Sequence, residues 1–149
     1  MNMTMQDTIE RQISVRAPKE RVFDALVDSD KLTKWFPDAV EGNVAAGERP
    51  VFDFGEYGKQ RIYVVATDRS DYFAFRWVSS SEGDFMGDAL EAPSTLVEFW
   101  LSDENGGTLV KLKESGFASL PEAVAQKSLS NNSGGWDYCL GRLAELLQS

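Results

Sequence analysis

From Val40 to Lys113 the chain alternates apolar and polar residues in short runs, while helical spacing is confined to its two ends. Alternation sends successive side chains to opposite faces of a strand, so each run has one face to bury. Phe52 and Phe54 alternate with Val51 and Asp53, and Ile62, Val64 and Ala66 with Arg61, Tyr63 and Val65. Phe73, Phe75 and Trp77 alternate with Tyr72, Ala74 and Arg76. Val97, Phe99 and Leu101 alternate with Leu96, Glu98 and Trp100, and Val110 and Leu112 with Lys111 and Lys113. Turn-formers separate the runs at Gly55, Gly58, Asp68–Asp71 and Asn105-Gly106-Gly107, the last a strong hairpin signal. Such a meander makes an antiparallel sheet with one face packed on helices.

The two ends supply those helices. Ile9, Ile13 and Val15 alternate with Glu10, Gln12 and Arg16, which predicts a half-buried strand over Thr8–Arg16. Pro18 suits the first turn of a helix, and Val22, Phe23, Leu26 and Val27 recur at helical spacing. Asp28-Ser29-Asp30 offers caps between that helix and a short second one carrying Leu32, Trp35 and Phe36, which Pro37 helps to end. Near the other end, Ser119 precedes Glu122 at capping-box spacing, with Pro121 between them. The helix starting there carries Trp136, Cys139, Leu140, Leu143 and Leu147 on one broad stripe. Gly134-Gly135 inside it predicts a kink or a close approach of helix to sheet. Ser79–Pro93 holds Glu82, Asp84, Asp88 and Glu91 with no basic residue, and Phe85-Met86 in its middle. It reads as a solvated loop touching the core edge, or as a lid over a pocket mouth.

A chain of 149 residues is expected to form one domain, 1–149, with residues 1–7 a flexible N-terminus. That size buries about 70% of the unfolded surface, so the fold needs no disulfide or metal. The formal charge of −9, with Lys and Arg scattered, argues against nucleic acid and membrane as partners. There is no histidine, which removes Ser-His-Asp and Cys-His catalysis and His-ligated zinc. The single cysteine, Cys139, forms neither an internal disulfide nor a cysteine-cluster metal site, and no metal or cofactor is implied. No segment resembles a signal peptide or reaches the length of a membrane span, so a cytoplasmic location is the expectation.

The residues also resemble a known family, that of the Activator of Hsp90 ATPase homologue 1-like proteins, within the START and Bet v 1-like superfamily. The first stretch is Val15-Arg-Ala-Pro-Lys-Glu-Arg-Val-Phe-Asp-Ala-Leu followed by Leu32-Thr-Lys-Trp35-Phe36, and the second is Phe73-Ala-Phe-Arg-Trp77. Further matches run from Thr95 to Leu101, from Gly107 to Leu112 and on to Gly116-Phe117, then through Gly135-Trp136, Leu140, Leu143 and Leu147. The resemblance implies an α+β helix-grip fold. Its curved antiparallel sheet of about six to seven strands wraps a long C-terminal helix, and two short helices follow the first strand. It also implies a binder or carrier of a small hydrophobic molecule of lipid or aromatic type. Two departures from the family pattern are Glu114 and Asn131-Asn132-Ser133, where relatives often carry histidine.

The candidate cavity lining is Trp35, Phe52, Phe54, Phe75, Trp77, Phe85, Phe99, Phe117, Trp136, Cys139, Leu140 and Leu143, since ligand pockets are apolar with few polar groups. Glu114 is the polar candidate, because it shares the parity of Val110 and Leu112 and so points inward with them. No acid–base pair is recognisable, and no catalytic residue is assigned. Two other readings stand beside the binder. One is a metal-independent enzyme, such as a cyclase, dehydratase or hydrolase, leaning on Glu114 or a tyrosine in the same cavity. The other is a protein-interaction module linked to an Hsp90-type chaperone. Trp100 or Tyr72 on the outer sheet face would suit a homodimer contact.

Overall fold

A computed structural model describes residues 7–78 and 83–148. Residues 1–6 of the expected flexible N-terminus and residues 79–82 of the acidic segment lie outside the described residues. The first strand, β1 (Thr8–Val15), leads into α1 (Lys19–Val27) and the short α2 (Ser29–Leu32). Then follow β2 (Ala39–Glu41), β3 (Val51–Asp53), β4 (Lys59–Arg61), β5 (Tyr63–Asp68), β6 (Tyr72–Trp77), β7 (Thr95–Glu104) and β8 (Gly107–Ser115). The chain closes with α3 (Glu122–Gln148).

This is the expected helix-grip arrangement, with one difference in the sheet. The strands divide into a five-stranded sheet, β1-β8-β7-β6-β5, and a three-stranded one, β2-β3-β4. The alternating run from Arg61 to Ala66 is cut at Ile62, where the chain passes from the small sheet to the large one. Ile62 is fully buried, and its N–H donates to the Pro50 carbonyl (3.0 Å) rather than to a strand partner. A bulge between Val64 and Ala66 then leaves Val65 on the surface.

Within the large sheet the alternation holds. Phe73, Phe75 and Trp77 on β6 are buried, as are Thr95, Val97, Phe99 and Leu101 on β7 and Thr108, Val110, Leu112 and Glu114 on β8. The β7–β8 hairpin turns on Asn105 (φ 45°) and Gly106 (φ 84°), the left-handed pair that a two-residue turn requires. Gly107 is required for another reason. A Cβ there would collide with the Val15 carbonyl where β1 leaves the sheet.

The helices fill the concave side. Val22, Phe23, Ala25 and Leu26 are the buried face of α1. Pro18 is its N-cap residue, one position before the first turn, and its carbonyl accepts from Arg21 and Val22 (both 3.1 Å). The Asp28 carboxylate caps α2 by accepting from the Asp30 N–H (3.0 Å). That helix ends at Leu32, and turns rather than helix carry the chain to Phe36. Ala125, Ser128, Trp136, Leu140, Leu143 and Leu147 are the buried stripe of α3. The capping box expected at Ser119 does not form: Ser119 lies in a 3-10 turn, where its hydroxyl donates to the Gly116 carbonyl (2.7 Å).

Gly134 and Gly135 correct a second expectation. They lie within an uninterrupted helix, and a Cβ at either would meet nothing within 4 Å. Close packing against the sheet is therefore not their role. Replacing Gly134 by Ala should raise stability by about 0.5–1 kcal/mol in urea denaturation, through the entropy removed from the unfolded chain. Gly107→Ala, forced against the Val15 carbonyl, should lose at least about 1 kcal/mol in the same assay. A destabilised Gly134→Ala would show that its position is not open.

Candidate functional site

Where β6, β7 and β8 face the middle of α3, a carboxylate is buried among hydrogen-bond donors. Glu114 is 0% exposed. Its Oε2 accepts from Trp77 Nε1 (2.8 Å) and Thr95 Oγ1 (2.5 Å), and its Oε1 from Trp136 Nε1 (2.8 Å). The Asn132 amide nitrogen lies 3.1 Å from both oxygens. Trp77 pairs with Thr95 across β6–β7, and Glu114 pairs with Val97 across β7–β8. Asn132 and Trp136 are one helical turn apart on α3, so both reach the same carboxylate. Burial pushes the Glu114 pKa up from its usual 4.5, and the hydrogen bonds from Thr95, Trp136, Trp77 and Asn132 pull it back. Among the described residues no lysine or arginine pairs with it. The fold thus brings Glu114 together with Asn132 of the Asn131-Asn132-Ser133 stretch.

Above this carboxylate lies a half-open cleft of about 930 Å³, between α3 and the small sheet with the 3-10 turn that joins β3 to β4, Gly55–Tyr57. Its floor is aromatic: Phe36, Phe54, Trp77 and Trp136. Phe36 sits among the others, with ring centroids 5.3 Å from Phe54, 5.7 Å from Trp77 and 5.1 Å from Trp136. Asn132, Cys139 and Gly135 line the α3 side. Tyr57 and Tyr138, 77% and 66% exposed, stand at the mouth, and Asp38, Glu56, Lys127 and Arg142 carry charge around it.

Of the residues expected to line a cavity, Phe54, Trp77, Trp136 and Cys139 do so. Trp35, Phe52, Phe75, Phe99, Phe117, Leu140 and Leu143 do not: all are buried core. Trp35 points the other way, its Nε1 donating to the Ala25 carbonyl (2.7 Å), and its neighbour Phe36 faces the cleft instead. Phe85 is not in the lining either; its backbone pairs with β4, the N–H donating to the Lys59 carbonyl and the carbonyl accepting from the Arg61 N–H (both 2.7 Å). The described part of the acidic segment is thus stitched to the small sheet, and Gly83 within it touches the cleft. Glu114 lies beneath the floor rather than in it.

Sequence reasoning missed Phe36, Tyr57, Tyr138, Gln60 and the Asn131-Asn132 pair as lining. Asn132 was legible through its spacing of four from Trp136, which puts both on one helix face.

Cys139 is half-buried, and burial pushes its thiol up to about 11. It stays protonated at neutral pH and is no ready nucleophile. Among the described residues no three acidic or cysteine side chains come together as a metal site, and no helix is long and apolar enough to cross a membrane. A second concavity of about 740 Å³ lies on the outer sheet face by Trp100. It is shallow, and three of its polar groups are paired: Tyr72 donates to Glu98 (2.5 Å), and Asp71 accepts from Lys19 (2.6 Å).

The chain matches the family described as Activator of Hsp90 ATPase homolog 1-like protein over residues 16–148. No curated protein gives a significant match. Among solved structures it is similar to DynU16, a protein of the dynemicin biosynthetic locus, at 25% identity and TM-score 0.75, over 96% of this chain and 48% of that one. The chain thus spans about half the length of DynU16. A Mesorhizobium loti protein is 19% identical, with TM-score 0.76, over 94% of this chain and 96% of that one. The Aha1 dimer of Colwellia psychrerythraea is 19% identical, with TM-score 0.75, over 96% of this chain and 97% of that one.

Glu114→Gln swaps one acceptor oxygen for an NH2 group that must face donors, so it should cost roughly 2 kcal/mol or more at neutral pH. The pH dependence has a fixed sign. The folded pKa lies above the unfolded one, so the folded state binds more protons in the window that starts near 4.5 and ends at the raised value. Stability should fall as pH rises through that window and then level off. Urea titrations at stepped pH should show this slope in the wild type and not in Glu114→Gln.

Proposed function

Because the chain belongs to the Activator of Hsp90 ATPase homolog 1-like family, with a cleft between sheet and helix, we propose that it binds or carries a small hydrophobic molecule in the cleft between α3 and the small sheet. What supports the reading above all is the floor of Phe36, Phe54, Trp77 and Trp136 under about 930 Å³ of space. Ligand pockets commonly fall between about 300 and 1,000 Å³ and combine apolar walls with few polar groups. Behind the floor the interior is filled by Trp35, Phe52, Phe75 and Phe99, each at most 1% exposed. A ligand therefore lies across the aromatic floor rather than threading the fold.

The same geometry gives no support to an acid–base role for Glu114. Both its oxygens are engaged beneath Trp77 and Trp136, and a general base must reach its substrate.

Gly135 gives the reading a direct test, because it lines the cleft and a Cβ there would meet nothing. Gly135→Phe should occupy the mouth without disturbing the core, weakening binding by roughly tenfold or more while leaving the melting temperature unlowered. Native mass spectrometry against a panel of lipids and ring compounds, followed by titration of the indole NMR signals of Trp77 and Trp136, measures this. Binding that survives Gly135→Phe unchanged would place the ligand elsewhere.

A further inference from the structure

Resting on the cleft reading, we infer that Tyr57 and Tyr138 set its specificity, gripping a flat aromatic ligand at the mouth in preference to a flexible alkyl chain. They are the two most exposed large apolar side chains among the described residues, and both line this one cleft. Tyr57 comes from the turn between β3 and β4, and Tyr138 from α3. A molecule in the cleft therefore meets an open ring from each wall. Exposed aromatics scattered singly need no explanation, whereas these two converge on a single opening.

Both rings stand on fixed supports. Around Tyr57, the Gly55 N–H donates to Asp53 Oδ1 (2.9 Å) and the Phe54 N–H to the Gly58 carbonyl (3.0 Å). Gly58 ends that turn at φ 103°, and a Cβ there would come within 2.5 Å of the Gly83 carbonyl carbon. The backbone that presents Tyr57 is thus tightly confined. On the other wall, the Arg142 guanidinium lies over the Tyr138 ring, 5.7 Å from its centroid, and donates to the Lys34 carbonyl (2.8 Å). A tyrosine has only two side-chain torsions to order, so rings presented this way lose little freedom on binding. Contact of ring with ring then decides the ligand class. An aromatic pair adds roughly two- to tenfold in affinity beyond the area it buries. A flexible chain gains no such addition and loses rotational freedom when it is ordered.

2-Naphthol and 1-decanol, equal in carbon and hydroxyl count, separate the two classes. Titrated by NMR into the whole protein, 2-naphthol should shift the backbone amides of Gly135 and Cys139. Its affinity should fall roughly two- to tenfold in Tyr57→Leu, and by as much in Tyr138→Leu. Any affinity for 1-decanol should be unchanged in both variants. Comparing each probe with itself across variants cancels their unequal hydrophobicity. Both positions are exposed, so neither substitution should lower the melting temperature. Tyr57→Phe and Tyr138→Phe should keep 2-naphthol binding, since the ring is retained. Leucine variants that leave 2-naphthol unchanged, or weaken both probes alike, overturn the inference and leave the cleft reading standing. So does binding of 1-decanol without 2-naphthol, or a loss in the phenylalanine variants equal to that in the leucine ones. If neither probe shifts Gly135 or Cys139, the cleft reading fails and takes the specificity with it.

Discussion

The side chain of Glu114 holds together parts of the molecule that nothing else joins so directly. Trp77 belongs to β6, Thr95 to β7, Glu114 to β8, and Asn132 and Trp136 to α3, and their polar hydrogens converge on one carboxylate. A lone buried charge costs several kcal/mol to desolvate, and charge-assisted hydrogen bonds are what offset it. The carboxylate thus needs the donors. The donors need it equally, because an indole N–H buried without an acceptor carries its own penalty of about 1–3 kcal/mol. The orientation of the two tryptophans follows from that mutual dependence, and the floor of the cleft follows from their orientation.

Much of this was legible in the alternation along β8. Thr108, Val110, Leu112 and Glu114 share a parity, and the structure buries all of them. The hairpin at Asn105-Gly106 and the stripes of α1 and α3 were readable for the same reason: a short-range period has one geometric meaning. The division of the sheet was not readable. Arg61, Ile62 and Tyr63 continue the pattern without a break, because a strand that changes sheets at a buried residue keeps its alternation while changing its partner. Partner choice depends on contacts distant in sequence, here Pro50 with Ile62, and periodicity carries no record of them.

The candidate site was legible only in part, and the errors share a cause. Hydrophobicity tells which residues avoid water, but an aromatic side chain does so equally well against other side chains or under a ligand. Phe52, Phe75 and Phe99 therefore had the same signature as Phe54 and Trp77, and only packing separates core from lining. Trp35 and Phe36 show how fine the distinction is. They are adjacent and their rings stack 5.3 Å apart, yet one anchors to Ala25 inside the core while the other faces the cleft. The turn that replaces the end of the short second helix decides which is which.

The opening survives because two local features oppose collapse. An apolar floor over a hollow would gain from closing, as buried apolar area stabilises by about 25 cal/mol per Å². Trp77 and Trp136 cannot rise to fill the hollow without breaking their bonds to Glu114. At the mouth, Gly135 offers no side chain to lay across it. A leucine in place of Glu114 would suit a filled core better in isolation, yet it would leave two indole N–H groups and an amide without their acceptor. Charge, donors and glycine therefore make sense as one set. The helix glycine lowers local stability and the buried carboxylate is costly to bring out of water, and together they keep the two indoles fixed below the cleft rather than drawn up into it.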